Sequence, residues 1–263
     1  MLQEKGPTKN TPRTDQSSKQ TAIDPPIPSV HLHQMSAMVP TLREFAKSLR
    51  PPKLLLLCGS ARTGSFNQKL LDAAGRVLTA EGAECEAINL GALGLPLFDE
   101  GLEEEEFPAA ATDLKASMVA ATGVVIACPE YNGSITPLLL NAITWATRGE
   151  GHMYSGFQGK LVTIISTSPG SLGGLRMQRS FQLMLQDMGS VVIPSNCSLG
   201  GCHKLFDEAG NLQDERAKSK LEGACGQLLH FARFEANRDK DDCIVKLIKE
   251  QKLDGEYGAV VVE

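Results

Sequence analysis

Apolar residues fall in short continuous runs, and each run leads through a polar, often glycine-bearing stretch into a segment of helical spacing. The run Leu54–Leu57 is apolar throughout, the pattern of a central parallel strand covered on both faces. Behind a polar turn, Phe66, Leu70, Ala74, Val77 and Leu78 recur at the spacing of one helix face. Ser65, with Gln68 three residues on, has the form of a capping box, so this helix starts at Phe66. Glu84–Leu90 alternates and predicts a second strand. Gly94–Asp99 reads as a turn-rich connection, Gly101–Glu106 as an acidic loop and Pro108–Ala121 as a helix. Gly123–Cys128 is a third strand, again continuously apolar. Thr136 then caps a helix with Pro137 at its first position, running through Leu140, Ile143, Thr144 and Thr147. Lys160–Ile165 predicts a fourth strand. The helix after it carries Met177, Phe181, Met184, Leu185 and Met188. Gly189–Pro194 is the fifth strand, and a helix over Gln213–Ala232 closes the pattern.

Five strands alternating with five helices predict an α/β fold. The sheet is doubly wound and parallel, in the order 2-1-3-4-5, with helices on both faces. In that order the polar loops after the first, third and fourth strands converge on one crevice. The first of them suits an anion. Gly59 and Gly64 free the backbone, Ser60, Thr63 and Ser65 offer hydroxyls, Arg62 a guanidinium and Asn67 an amide. All sit at a helix N-terminus, where unpaired N–H groups and the helix dipole point outward. The Walker A spacing and the three spaced glycines of a dinucleotide loop are both absent. What remains fits a single phosphomonoester.

Composition narrows the classes further. The 263 residues are 42% hydrophobic, enough for a full core, and the net charge of −5 leaves no basic surplus for nucleic acid. No apolar run approaches the ~20 residues that span a bilayer. Seven scattered cysteines show no CxxC pair and no Cys/His metal spacing, so no metal site is expected and the thiols read as buried and free. A cytoplasmic location follows, with organelle targeting by residues 1–30 left open. Residues 1–50 are polar and proline-rich, predicting a disordered tail with a short helix over 41–49. Glu103–Glu106 reads as a solvated face. A hydrolase using Ser60 or Cys58 lacks a nucleophile elbow and a placed base.

Three blocks carry a resemblance: GSARTGSFN at Gly59–Asn67, PEYNGS at Pro129–Ser134 and TSPGSLGGLR at Thr167–Arg176. The chain resembles the NAD(P)H-dependent FMN reductase family of flavodoxin-like proteins, which includes quinone, azo and chromate reductases and the arsenic-resistance flavoproteins. The likeness runs from Lys53 to Phe234, which implies a domain over 51–234 and a charged extension over 235–263. By the resemblance Ser60, Arg62, Ser65 and Asn67, with Phe66 among them, hold the FMN phosphate. Pro129, Glu130, Tyr131, Asn132 and Gly133 line the isoalloxazine ring, and Ser168, Gly170 and Gly173 wall its other edge. NADPH or NADH supplies electrons to a small acceptor, which is a quinone, azo compound, metal oxyanion or free flavin. No catalytic side chain is implied, because the flavin carries the chemistry. A homodimer or homotetramer is implied as well. The alternative is an FMN electron carrier or redox-sensing protein without steady turnover. Arg148, Arg176 and Arg179 are the candidates for a nucleotide 2′-phosphate. The loop Gly149–Gly159 reads either as a flavin cover or as a plain surface connection. The family helix after PEYN carries a lysine and an aspartate where this chain has Leu140 and Thr144.

Overall fold

The computed structural model describes residues 49–195 and 197–238. The expected disordered tail and nearly all of the expected helix over 41–49 lie outside the described residues, as does the extension from residue 239 onward. Strands β1 (Lys53–Cys58), β2 (Glu84–Ile88), β3 (Gly123–Ala127) and β4 (Leu161–Ser168) form one parallel sheet with the short β5 (Val191–Val192) and β6 (Cys197–Gly200). The order is β2-β1-β3-β4-β5, with β6 also paired to β4, as the alternation of elements predicts. Leu56 lies opposite Val125, and Val125 opposite Thr163.

The pleat divides the core between the two faces. Leu54, Leu56, Cys58, Val125 and Ile165 pack under helices α1 (Phe66–Ala80) and α6 (Glu215–Ala236). Leu55, Leu57, Val124, Ile126 and Ile164 pack with α3 (Ala109–Ala120), α4 (Pro137–Ala146) and α5 (Leu175–Asp187). A strand covered on both sides has no use for alternation, which is why these runs are apolar throughout.

Three segments depart from the sequence reading. The expected acidic loop over Gly101–Glu106 is mostly a short helix, α2 (Glu100–Glu105). Asp99 starts it by accepting the Gly101 and Leu102 N–H groups at 2.9 and 3.2 Å, a cap that outweighs carboxylate repulsion in the turns that follow. Strand β4 continues past Ile165, so that Ser166, Thr167 and Ser168 pair with Ser198, Leu199 and Gly200 of β6. The expected fifth strand over Gly189–Pro194 is shortened to Val191–Val192, Pro194 having no N–H to give the ladder, and β6 at Cys197–Gly200 is a strand the sequence reading did not expect.

The connection Gly94–Asp99 is tied to α4. Trp145 Nε1 and Asn141 Nδ2 both donate to the Pro96 carbonyl, at 2.8 and 2.9 Å, and Asn141 Oδ1 accepts the Phe98 N–H at 2.8 Å. The Trp145 ring is fully buried, edge-on to Phe98 and Phe107 at 5.0 and 5.4 Å. Beyond α4 the loop Gly149–Gly159 starts from carbonyls of Arg148 and Glu150 that both accept from the buried Lys115 ammonium at 2.8 Å. It lies past the far end of α4, at the amino end of β4, so it cannot cover a ligand held at the carboxyl ends of the same sheet.

Trp145→Phe keeps the ring packing and removes one partly buried hydrogen bond, so it should cost about 1–2 kcal/mol. Trp145→Ala should cost about 3–5 kcal/mol. Urea unfolding of the two variants checks the difference.

Candidate functional site

The candidate residues for FMN lie at the carboxyl ends of β1, β3 and β4, where the sheet order reverses. At the end of β1, Gly59 passes so close to β3 that an added Cβ would sit 2.9 Å from Cys128 Sγ. The loop beyond it reverses at Gly64, whose φ of +70° favours glycine. Ser65 is the N-cap of α1, its Oγ accepting the Gln68 N–H at 3.4 Å. The N–H groups of Thr63, Gly64, Phe66 and Asn67 find no acceptor among the described residues. Ser60, Arg62, Thr63, Ser65, Lys69 and Asp72 help line a cleft of about 490 Å³. The Arg62 guanidinium and the Lys69 ammonium lie 5.8 and 5.6 Å from the centre of the Phe66 ring, which also packs against Phe206 at 6.0 Å. Neither cation pairs with a carboxylate among the described residues.

After β3 the block PEYNGS forms a tight hairpin. Tyr131 and Ser134 exchange backbone hydrogen bonds at 3.0 and 2.9 Å, and both central residues have positive φ, +54° at Asn132 and +80° at Gly133. This is the Asn-Gly preference of a type I′ turn, since these residues tolerate the left-handed region best. Tyr131 is 53% exposed, which rules out a buried core role. The Asn132 and Gly133 N–H groups also have no acceptor among the described residues.

After β4 the loop Ser168–Gly174 lies against β6. At Gly173, φ is +61° and a Cβ would come within 2.4 Å of the Leu199 nitrogen. Ser168 Oγ donates to the Gly170 carbonyl at 3.3 Å, and Ser166 Oγ donates to the Gly173 carbonyl at 2.6 Å.

The three loops are tied to one another in pairs. Asn67 Nδ2 donates to the Thr167 carbonyl and its Oδ1 accepts the Thr167 N–H, both at 3.0 Å and buried. Thr136 Oγ1 donates to the Gly59 carbonyl at 2.6 Å while accepting the Leu139 N–H at 3.3 Å, so the cap of α4 also grips the first loop. Glu130 accepts from Arg176 Nε at 2.7 Å and from the Met177 N–H at 3.3 Å, and it forms an ion pair with the Arg176 guanidinium. Burial pushes the Glu130 carboxyl up. The hydrogen bonds from Arg176 and Met177 and the Arg176 charge outweigh it, and the pKa ends below the usual carboxylate range.

The structure thus brings all thirteen residues singled out above to one end of the sheet, but with two kinds of task. Ser60, Arg62, Ser65 and Phe66 lie at the first loop, Pro129, Tyr131, Asn132 and Gly133 at the second, and Ser168, Gly170 and Gly173 at the third. The side chains of Asn67 and Glu130 are engaged with neighbouring loops. Of the three arginines considered for a nucleotide, Arg176 is paired with Glu130, and Arg148 stacks 4.9 Å over Phe98 beyond the far end of α4. Arg179 is exposed on α5. Sequence reasoning missed Thr167 and Phe206, and it saw Thr136 only as a cap. Burial pushes the Cys58 and Cys128 thiols up to about 11, so both stay protonated near neutral pH and neither serves as a nucleophile. Among the described residues no group of His, Cys, Asp and Glu side chains could hold a metal ion.

Comparison with known proteins gives concordant results. The family described as NADPH-dependent FMN reductase matches residues 52–204. A quinone reductase of Escherichia coli strain K12 is 32% identical over 185 residues, covering 69% of this chain and 94% of that one. An NAD(P)H-dependent FMN reductase of Pseudomonas aeruginosa is 31% identical, covering 65% and 89%. Among solved structures, the flavoenzyme NAD(P)H:(acceptor) oxidoreductase FerB of Paracoccus denitrificans superimposes with a TM-score of 0.62 at 27% identity, covering 70% and 98%.

Asn67→Ala leaves the Thr167 N–H and carbonyl without their amide partner in a buried place and should destabilise the fold by about 2–3 kcal/mol, read by thermal denaturation. The Glu130 pKa, held down in the folded state, adds stability above the unfolded value of 4.5 that is lost as pH falls through the folded value. Wild-type stability should therefore drop more steeply below about pH 4.5 than that of Glu130→Gln, compared by urea titrations across that range.

Proposed function

The chain belongs to the NADPH-dependent FMN reductase family, and from that premise we propose that it uses bound FMN to reduce a quinone with electrons from NAD(P)H. NAD(P)H, one proton and a quinone give NAD(P)⁺ and the hydroquinone, a two-electron reaction. FMN, when bound, would supply the two-electron redox chemistry that links the nicotinamide to the quinone. The protein binds, orients and shields, and no side-chain acid or base is required.

The observation that carries the reading is the first loop. Its unpaired N–H groups at Thr63, Gly64, Phe66 and Asn67 and its unpaired Arg62 suit one phosphate dianion. Ser60 and Ser65 add hydroxyls. The Asn132 and Gly133 N–H groups are donors for the carbonyl oxygens of a flavin pyrimidine ring, where they would steady developing negative charge. Tyr131 supplies a flat, exposed face beside that turn, and Ser168, Gly170 and Gly173 close the opposite edge. Asn67 supports the phosphate loop through its clasp on Thr167, leaving its backbone N–H as the donor to the ligand.

A quinone is the acceptor the relatives favour, several of them being quinone reductases. The electron-carrier alternative draws no support from them. A homodimer or homotetramer is part of this proposal, and Leu97 and Leu140, 83% and 47% exposed, are apolar side chains that a second copy would cover. No described helix is long and apolar enough to cross a membrane, and a cytoplasmic location remains part of this proposal.

The purified chain should show flavin absorbance that bleaches with NADPH under air-free conditions and returns on adding a quinone. Arg62→Ala should weaken FMN binding about tenfold, the loss of one charge-assisted contact, measured by quenching of flavin fluorescence. A wild-type protein that takes up no FMN would overturn the reading.

A further inference from the structure

Helix α5 begins badly on its own account. Its N-cap is Gly174, which has φ of +91° and no side chain to accept the orphan N–H groups of the first turn. The acceptor comes from elsewhere in the chain. Glu130, next to the Asn132–Gly133 turn, receives the Met177 N–H on one oxygen and Arg176 Nε on the other. Its side chain is only 9% exposed. Both oxygens are thus engaged by α5. The second and third loops also meet closely here, since a Cβ on Gly174 would stand 3.9 Å from Glu130 Cβ.

We propose that Glu130 is a positioning residue, a latch whose carboxylate caps α5 and pairs with Arg176. It thereby fixes the gap between the hairpin turn and the Ser168–Gly174 loop in which the flavin ring lies. The ring's identity rests on the function proposed above, but the latch does not.

The test uses the full chain with and without FMN, in the variants Glu130→Ala, Glu130→Gln, Arg176→Ala and the double alanine variant. Without FMN, amide hydrogen exchange in Glu130→Ala should quicken at 131–135 and 175–178 and stay unchanged in β1 and β3. With FMN, Glu130→Ala and Arg176→Ala should each raise the dissociation constant about tenfold. The double variant should be no weaker than either single one, because both remove the same latch. Glu130→Gln, which still accepts the Met177 N–H, should lose only about threefold. Unchanged exchange at both segments, a uniform rise across the whole chain, or single effects that simply multiply would each overturn the latch. A wild-type chain that binds no FMN would overturn the proposed function alone, and the exchange measurement would still decide the latch.

Discussion

Strands β1, β3 and β4 are buried on both faces, so every backbone polar group along them has to be paired in register. That constraint fixes where their carboxyl ends stand. Three loops must leave the sheet side by side, at the point where the chain turns from building outward on one side to building on the other. None of these loops has a core of its own, and each spends part of its length in backbone conformations that only glycine or asparagine adopts easily. They hold their shape because each is bonded to the next. Asn67 ties the first to the third, Thr136 ties the second to the first, and Glu130 ties the third to the second. The ring of ties turns three surface connections into one rigid rim.

The division of labour around that rim follows from charge. At the first loop and the start of α1, Arg62 and Lys69 pair with no carboxylate among the described residues, beside N–H groups that find no acceptor there. On the other side, Arg176 is neutralised by Glu130. Net positive potential is therefore concentrated at one end of the crevice, and the other end offers a flat tyrosine and two backbone donors. A ligand with an anionic tail and a planar, weakly polar head meets both ends in their proper order. FMN has that shape, as does no metal ion or extended polyanion.

The sheet order was legible in the sequence because continuous apolar runs separated by capped helices admit few topologies. The apolar run at Gly123–Cys128 predicted the buried strand, whereas the tight Asn132–Gly133 turn that leaves it is a finding of the structure. The local pattern failed where a distant partner decides the outcome. Ser166–Ser168 reads as loop on polarity, yet it is strand because β6 supplies a ladder that Pro194 had delayed. Glu130 reads as a solvated or ligand-facing carboxylate, yet it caps a helix 44 residues further on, whose own cap position is a glycine. Phe206 packs on Phe66 across 140 residues of chain, and nothing near either residue announces it.

Three polar residues of the rim share one physical property. Asn67, Glu130 and Thr136 are polar, carry a donor or acceptor able to serve a ligand, and stand beside ligand-facing positions. A motif records them together with the groups that touch cofactor, because both kinds are needed in the same few residues of a loop. Only the partners separate them. A side chain whose polar atoms already have protein acceptors and donors at ordinary distances, and which is shielded from water, would have to break those bonds to reach a ligand. Tyr131, Arg62 and Ser60 are free of that cost. Much of the polar content of these motifs is accordingly spent on keeping the loops in place.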